Sequence, residues 1–305
     1  MFAAPPVIET EVFARLPDGF REGDRRSDWL DVQRRGAPLD SFLEGPSFDR
    51  DGNLYCVDIP FGRVFRVSPA GEFTLVTEYD GEPNGLKIHK DGRIFIADHK
   101  NGIMLLDPDS GTVEPFYDRP VLQRFKGVND LFFTSRGDLY FTDQGQTGLQ
   151  DPTGLVYRLR AEGPFETVLD TCPSPNGLVF NRDETQLFVA MTRANCVWRA
   201  PLMLNDTASK VGVFVQMSGG AGPDGMALDD DGNLAVCHAG LGAVWLFSPL
   251  GEPLARVNSC AGLMTTNCAY GGPDNRTLYI TESDSGQILT ARLDTPGRTM
   301  FAHME

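Results

Sequence analysis

Short apolar runs recur along this chain of 305 residues, and each follows a side chain that carries an oxygen atom. Successive oxygen-bearing positions are 40, 45, 47, 48 and 43 residues apart. We call them the column residues: Glu44, Asn84, Asn129, Asn176, Asp224 and Asn267. A fixed period in this range, with several strands in every repeat, is typical of a β-propeller. The pattern therefore predicts six blades.

Each repeat contains four predicted strands. The inner strand begins at the column residue, and a hairpin turn separates it from the second strand, as at Asp51-Gly52, Asp91-Gly92 and Asp231-Gly232. Asp-Gly between apolar runs favours a hairpin because glycine tolerates positive φ. A third strand usually follows a glycine, and a fourth strand lies at the outer edge. Four-stranded meanders of this kind predict an all-β fold.

Residues 7–16 predict a further strand outside the repeats, whereas the sixth repeat lacks a comparable fourth strand. We therefore expect the N-terminal strand to complete the sixth blade and close the ring, which removes an unpaired sheet edge. A propeller of this length routinely forms one domain, so we predict a single six-bladed propeller domain over residues 1–305. Residues 17–43 are polar and show no strand period, and we expect a lid or rim there.

The meander also predicts which loops share an end of the propeller. Loops between second and third strands return to the end where the column residues lie, and the longest of them spans residues 143–153. Segment 17–43 leads directly into Glu44, which places it near the same end. Long loops on one face usually carry the function.

Composition narrows the class of protein. The net charge of −15 opposes binding to nucleic acid or to an anionic membrane, which needs a basic surface. No stretch reaches the roughly 18–20 apolar residues of a membrane helix, and residues 1–6 lack the features of a signal peptide. Six cysteines occur without a C-x-x-C pair, so a zinc cluster or a thioredoxin-type motif is not indicated. We expect a cytoplasmic protein with reduced thiols.

The column residues have the chemistry of a site for a hard metal ion. Inner strands line the channel of a propeller, so six equivalent positions converge on one axis. Carboxylate and amide oxygens suit Ca²⁺, Mg²⁺ or Mn²⁺, whereas zinc prefers His or Cys. Ordinary turn formation is the alternative for Asn84, Asn176 and Asp224, each followed by glycine, but it does not explain Glu44 or Asn129.

The sequence resembles the family of senescence marker protein (regucalcin) and gluconolactonase, six-bladed propellers related to diisopropyl fluorophosphatase. The resemblance covers most of the chain from Leu43 onward. The motifs that carry it are Leu43-Glu-Gly-Pro46, Val128-Asn-Asp130, Pro175-Asn-Gly-Leu178, Pro223-Asp-Gly-Met226 and Thr266-Asn-Cys-Ala-Tyr-Gly-Gly-Pro273. Each motif is weak alone, and together they are specific.

The resemblance implies one divalent metal ion, Ca²⁺ before Mg²⁺, Mn²⁺ or Zn²⁺, and hydrolysis of a small sugar or related lactone. The implied metal ligands are Glu44, Asn129, Asn176 and Asp224. The metal would act as a Lewis acid on the lactone carbonyl, and Asp224 would take a proton from the attacking water. A nucleophilic role for Asp224, as proposed for the phosphotriesterase relatives, stays open.

Substrate contacts are expected from Asn84, Lys126, Gln144 in the 143–153 loop, and Asn267, with Asn84 and Asn267 alternatively supporting the metal ligands. The chain departs from the sugar-lactonase members, which carry an Arg where Gly127 stands here. Lys126 is a candidate substitute, although an ammonium is not a fork-shaped donor. His99 and His238 are candidate proton shuttles, against the commoner case of a histidine engaged by its own fold.

Two other functions stay open at this stage. An organophosphate or ester hydrolase on the same site is favoured by the apolar run Ile59-Pro60-Phe61 and by Met191. A non-catalytic binding propeller needs no oxygen-rich column in its channel, so the column opposes it. Fold alone decides none of these.

Overall fold

A computed structural model describes residues 3–120 and 122–305 of the protein. Residues 1, 2 and 121, which fall within the predicted domain of 1–305, lie outside the described part. The described chain forms six antiparallel meanders arranged around a channel, so the prediction of a six-bladed β-propeller with four-stranded blades is confirmed.

Two strands precede the blades, β1 (Val7–Glu9) and β2 (Glu11–Arg15). Blade 1 contains β3 (Leu43–Phe48), β4 (Leu54–Asp58), β5 (Arg63–Val67) and β6 (Phe73–Glu78). Blade 2 contains β7 (Pro83–Ile88), β8 (Ile94–Asp98), β9 (Gly102–Leu106) and β10 (Val113–Tyr117). Blade 3 contains β11 (Val128–Phe133), β12 (Leu139–Asp143), β13 (Gly154–Leu159) and β14 (Phe165–Cys172).

Blade 4 contains β15 (Pro175–Phe180), β16 (Gln186–Met191), β17 (Cys196–Pro201) and β18 (Gly212–Gln216). Blade 5 contains β19 (Gly222–Leu228), β20 (Leu234–Ala239), β21 (Ala243–Phe247) and β22 (Pro253–Asn258). Blade 6 contains β23 (Thr265–Gly271), β24 (Thr277–Glu282) and β25 (Gln287–Arg292). Helix α1 spans Asp28–Gln33, and short 3₁₀ turns occur at Asp18–Phe20, Ile59–Phe61, Thr192–Ala194 and Phe301–His303.

The N-terminal segment closes the ring, as predicted, but it does so with two strands instead of one. Strand β2 pairs antiparallel with β25 and completes blade 6, whereas β1 pairs parallel with β22 at the edge of blade 5. The division falls at Thr10, whose hydroxyl donates to the Asn258 carbonyl (2.8 Å) and accepts from the Cys260 N–H (2.9 Å). The segment therefore ties two neighbouring blades together.

Apolar side chains fill the space between neighbouring blades. Second strands such as β8 and β12 are buried along their whole length, because blades cover both of their faces. Phe95 of blade 2 packs edge-on against Phe133 of blade 3, with ring centroids 5.1 Å apart. Close packing of this kind holds each inner strand at a fixed position beside the next, which is what positions the column residues.

Segment 17–43 packs on the loops at the column end of blades 1 and 6. Trp29 and Leu30 of α1 form an apolar cluster with Ile59 and Phe61. Arg34 pairs with Asp284 at 3.2 Å, and this pair anchors the segment to a loop of blade 6. These contacts place the segment where the sequence predicted it, and its action as a lid remains a prediction.

The C-terminal residues cross the opposite end of the channel and add no strand to blade 6. Arg298 donates to the carbonyls of Phe180 and Asn181 in blade 4 (both 3.0 Å), and Arg50 of blade 1 donates to the Ala302 carbonyl (2.8 Å). A cavity of about 670 Å³ lies between this segment and the inner strands, with mainly apolar walls. It opens at the end away from the column residues.

Candidate active site

Every inner strand has a β-bulge at its column residue. The pairing register shifts in all six blades at the same level, within 44–47, 83–85, 128–131, 175–178, 223–226 and 265–267. A bulge bends the strand and re-aims a side chain, and such bulges are common next to active sites. All six blades therefore share the same backbone distortion at the level of the column residues.

The glycines that follow the column residues are required by close packing between inner strands. A Cβ on Gly177 would lie 2.5 Å from the Asp224 carbonyl oxygen, and one on Gly225 would lie 2.1 Å from the Asn267 side chain. A Cβ on Gly85 would lie 2.6 Å from an Asp130 oxygen. These glycines lie within strands β7, β15 and β19, so the explanation of Asn84, Asn176 and Asp224 as turn residues is wrong.

Glu44 is a buried carboxylate held by two donors. Its Oε2 accepts from the Gly45 N–H at 2.7 Å and from Asn267 Nδ2 at 2.8 Å. Only 3% of Glu44 is exposed, and burial raises the pKa of its carboxyl to about 7. The negative charge of Asp130 adds to this rise, while the two hydrogen bonds oppose it.

Asp224 shares this environment with Glu44. Burial raises the pKa of Asp224 well above its ordinary value, and the charges of Glu44 and then Asp130 raise it further. The side-chain amide of Asn176 and then the positive charge of Arg193 act in the opposite direction. Two carboxylates that repel each other in a desolvated channel form a site of excess negative charge.

Asp130 is a third carboxylate at this level, and the sequence reasoning assigned it no role. Its Oδ1 accepts from the Leu131 N–H at 2.8 Å and lies 3.8 Å from Lys87 Nζ. Its Oδ2 lies 3.5 Å from Asn267 Nδ2, the same nitrogen that holds Glu44. Burial raises the pKa of Asp130, and Lys87 opposes that rise. The sequence did contain a signal for Asp130, because this residue occupies the position where four other repeats have glycine.

Asn129 is oriented by a chain of amide contacts. Its Nδ2 donates to Gln144 Oε1 at 3.0 Å, and Gln144 Nε2 donates to Ser174 Oγ at 3.0 Å. With the nitrogen engaged by Gln144, the side-chain oxygen of Asn129 points away from Gln144 and is available as a ligand. Gln144 therefore contacts the candidate site, and its hydrogen bond restricts the orientation of Asn129.

The remaining predicted contacts have different surroundings. Asn84 is half-buried in β7 at the level of the other column residues. Asn267 Nδ2 donates to Glu44, and its Oδ1 accepts from the Cys268 N–H at 2.9 Å. Its predicted contact with substrate stays a prediction. Lys126 is directed elsewhere: its ammonium donates to the Thr153 carbonyl at 2.7 Å and ties down the 143–153 loop.

Neither histidine has the setting of a proton shuttle. His238 lies within strand β20 and not on a loop, and its two ring nitrogens contact the Gly219 carbonyl (2.9 Å) and Trp245 Nε1 (3.3 Å). His99 packs its ring on Gly127, where a Cβ would lie 2.2 Å from the imidazole. Burial lowers the pKa of both histidines. Gly127 is thus a glycine because the His99 ring fills the space of a side chain.

The donor set fits a hard divalent cation. It combines the buried carboxylate of Glu44 and the half-buried carboxylate of Asp224 with the amide groups of Asn129 and Asn176, which suits an oxygen-loving ion. Over residues 3–120 and 122–305, no group of three or more His, Cys, Asp and Glu side chains is arranged to hold a metal. A cation here would therefore depend on the amide oxygens. None of the helices in those residues is long and apolar enough to cross a membrane.

Comparisons with known proteins agree with this architecture. The family model described as SMP-30/Gluconolactonase/LRE-like region matches residues 42–284. Lactonase drp35 of Staphylococcus aureus (strain MRSA252) is 31% identical over 245 residues, which cover 75% of this chain and 72% of that protein. Lactonase drp35 of Staphylococcus saprophyticus is 29% identical over 239 residues, with the same shares covered.

Two solved structures share the fold. Regucalcin from Agrobacterium tumefaciens, described as a calcium-binding protein, has a TM-score of 0.77 at 22% identity, covering 98% of this chain and 99% of that one. A gluconolactonase from Xanthomonas campestris has a TM-score of 0.74 at 20% identity, covering 97% and 98%. With the family model spanning most of the sequence, the chain belongs to the SMP-30/gluconolactonase/LRE-like family.

Proposed function

We propose that this protein is a metal-dependent lactonase that hydrolyses a small sugar or related lactone to the hydroxy acid. The observation that carries the proposal is the pair of mutually repelling carboxylates at one end of the channel, Glu44 buried and Asp224 half-buried. Such a pair is costly unless it serves a cation or a proton transfer. The lactonase relatives and the calcium-binding regucalcin support the chemistry and the choice of Ca²⁺ as the first candidate.

Glu44, Asn129, Asn176 and Asp224 would hold the cation, and a bound cation would polarise the lactone carbonyl and lower the barrier to attack. Asn267 would keep Glu44 in position, and Gln144 would do the same for Asn129. These supporting contacts restrict the carboxylate and amide groups to one orientation, which reduces the reorganisation needed during reaction.

Asp224 is the proposed general base. It is less buried than Glu44, and burial together with the charge of Glu44 raises the pKa of its carboxyl, which makes it a stronger base. Asp224 would take a proton from water as the water oxygen bonds to the acyl carbon. The ring C–O bond then breaks, and the proton passes to the released alkoxide. The atoms of one water are thus divided between the acid and the new hydroxyl group.

The apolar run that favoured an organophosphate hydrolase is not available to a substrate. Ile59 and Phe61 are buried beneath helix α1, and Met191 is fully buried between blades. No feature of the described residues therefore favours that alternative over a lactonase.

The proposal is tested by following acid release in weakly buffered indicator solution with sugar, alkyl and aromatic lactones. We expect hydrolysis of at least one lactone, loss of activity after chelation and recovery when Ca²⁺ is returned. Asp224→Asn should reduce kcat by roughly 10²–10⁴-fold, the range of a general base. The matched control Asp183→Asn changes an exposed carboxylate and should keep full activity. Full activity in Asp224→Asn would show that the base is another group.

A further inference from the structure

Lys87 is a cation enclosed in the channel next to the candidate site. It lies on inner strand β7, three residues after Asn84, and its side chain is only 14% exposed. Its Nζ lies 3.8 Å from Asp130 Oδ1 and donates to the Leu86 carbonyl at 3.1 Å. The same side chain forms part of the wall of the 670 Å³ cavity on the far side of the column residues.

Lys87 contacts one of three carboxylates that lie at the level of the column residues. Glu44, Asp130 and Asp224 carry three negative charges when ionised. The side-chain nitrogen of Asn267 contacts both Glu44 and Asp130, so these two carboxylates belong to one connected group. One divalent cation and Lys87 would balance these three charges, and the positive charge of Arg193 also acts on Asp224. Without Lys87, Asp130 would have no cationic side chain within 4 Å among the described residues.

We propose that Lys87 is the resident counter-ion of Asp130, that it keeps Asp130 from serving as a metal ligand, and that it limits how tightly the site binds a divalent cation. This inference rests on the proposed metal site. A fixed positive charge near a cation site opposes binding, and screening by salt is weak at buried positions. Lys87 is thus a positioning residue, because it acts on the metal through Asp130 and the local field.

A double-mutant cycle separates this role from a purely structural one. Removal of the lysine in Lys87→Met should tighten Ca²⁺ binding by about tenfold or more, since the opposing charge is lost. Removal of the carboxylate in Asp130→Asn should weaken binding by a similar factor, because Lys87 is left without its partner. The double variant should return to within about threefold of the unaltered protein. A structural defect would instead weaken binding in both single variants.

The measurement is calorimetric titration of the full-length protein with Ca²⁺ after the protein has been stripped with a chelator. Lys100→Met is the matched control, because it breaks an exposed lysine–aspartate pair with Asp80 and makes the same change in net charge. We expect its affinity to stay within about twofold. Glu44→Gln should abolish or strongly weaken binding, which identifies the titrated site. Lys87→Gln replaces Lys87→Met if the methionine variant does not fold.

The outcomes distinguish the two proposals. If the unaltered protein binds neither Ca²⁺ nor Mn²⁺, the metal site itself is wrong and the role of Lys87 is wrong with it. If the protein binds Ca²⁺ and Glu44→Gln abolishes binding, the metal site stands. In that case, the Ca²⁺ affinity must rise in Lys87→Met and fall in Asp130→Asn. Any other result overturns the role of Lys87 and leaves the metal site in place.

Discussion

Replacing Glu44 by glutamine should stabilise the metal-free protein at alkaline pH. Burial raises the pKa of Glu44 from about 4.5 to about 7, so the folded state holds a proton that the unfolded chain has lost. Between these two values the folded protein binds more protons than the unfolded one, and stability falls as the pH rises. Above pH 7 the whole penalty is present, whereas below about pH 4.5 it disappears.

The size of the effect follows from the difference between the two pKa values. At 1.36 kcal/mol per pKa unit, the rise to about 7 corresponds to about 3 kcal/mol of destabilisation above pH 7. Unfolding entropy of roughly 2.1 cal/mol/K per residue converts this into about 5 °C for a chain of this length. The glutamine keeps an oxygen that can accept from Gly45 and Asn267, so both hydrogen bonds survive the change.

The assay is thermal unfolding of chelator-stripped protein at pH 8 and at pH 4.5. We expect Glu44→Gln to melt about 5 °C above the unaltered protein at pH 8 and at nearly the same temperature at pH 4.5. Added Ca²⁺ should reverse the order at pH 8, because only the unaltered protein retains the carboxylate ligand. Glu72→Gln changes an exposed carboxylate and should have no such effect. Equal melting temperatures at pH 8 without metal would refute the reasoning.

Three further predictions test the ring and the site. Deletion of residues 1–16 should lower the melting temperature sharply, since β2 completes blade 6, and an unchanged value would contradict closure by this segment. Gly225→Ala should reduce the free energy of unfolding in urea by about 3 kcal/mol because of its contact with Asn267, whereas Gly212→Ala meets nothing within 4 Å and serves as the control. Asn267→Ala should weaken Ca²⁺ binding in calorimetry by roughly 10–100-fold through loss of its hydrogen bond to Glu44, and unchanged affinity would exclude that supporting role.

The sequence was sufficient for the fold because each blade repeats the same local rules. The spacing of the column residues and the hairpin glycines at positions 52, 92 and 232 fix the number of blades and the order of strands. The division of the N-terminal strand at Thr10 was not predictable, because residues 7–16 contain no glycine or proline that would mark a break. It depends on hydrogen bonds between Thr10 and residues about 250 positions away.

The candidate site was predictable in part, for a related physical reason. Glu44 and Asp224 occupy the same position in their repeats, at the start of an inner strand. Because inner strands line the channel, this shared position predicts that both side chains face it. Lys126 was predicted near the substrate from its place in the sequence, but the direction of its ammonium depends on Thr153 in a loop that repeats nowhere else. Four repeats have glycine after the column residue, and the other two have Asp130 and Cys268, so a comparison of repeats would have shown Asp130 as the one charged residue at this position.

Asp130 and its partner Lys87 also link the two ends of the channel. Where four repeats need glycine because neighbouring inner strands touch, blade 3 accommodates a carboxylate, and Lys87 on the adjacent inner strand supplies its counter-charge. The lysine separates an acidic ring at one end from a mainly apolar cavity at the other. An ion entering from the cavity side would meet this positive charge before reaching Glu44 or Asp224. Cation exchange is therefore expected from the end of the channel where segment 17–43 packs on the loops of blades 1 and 6.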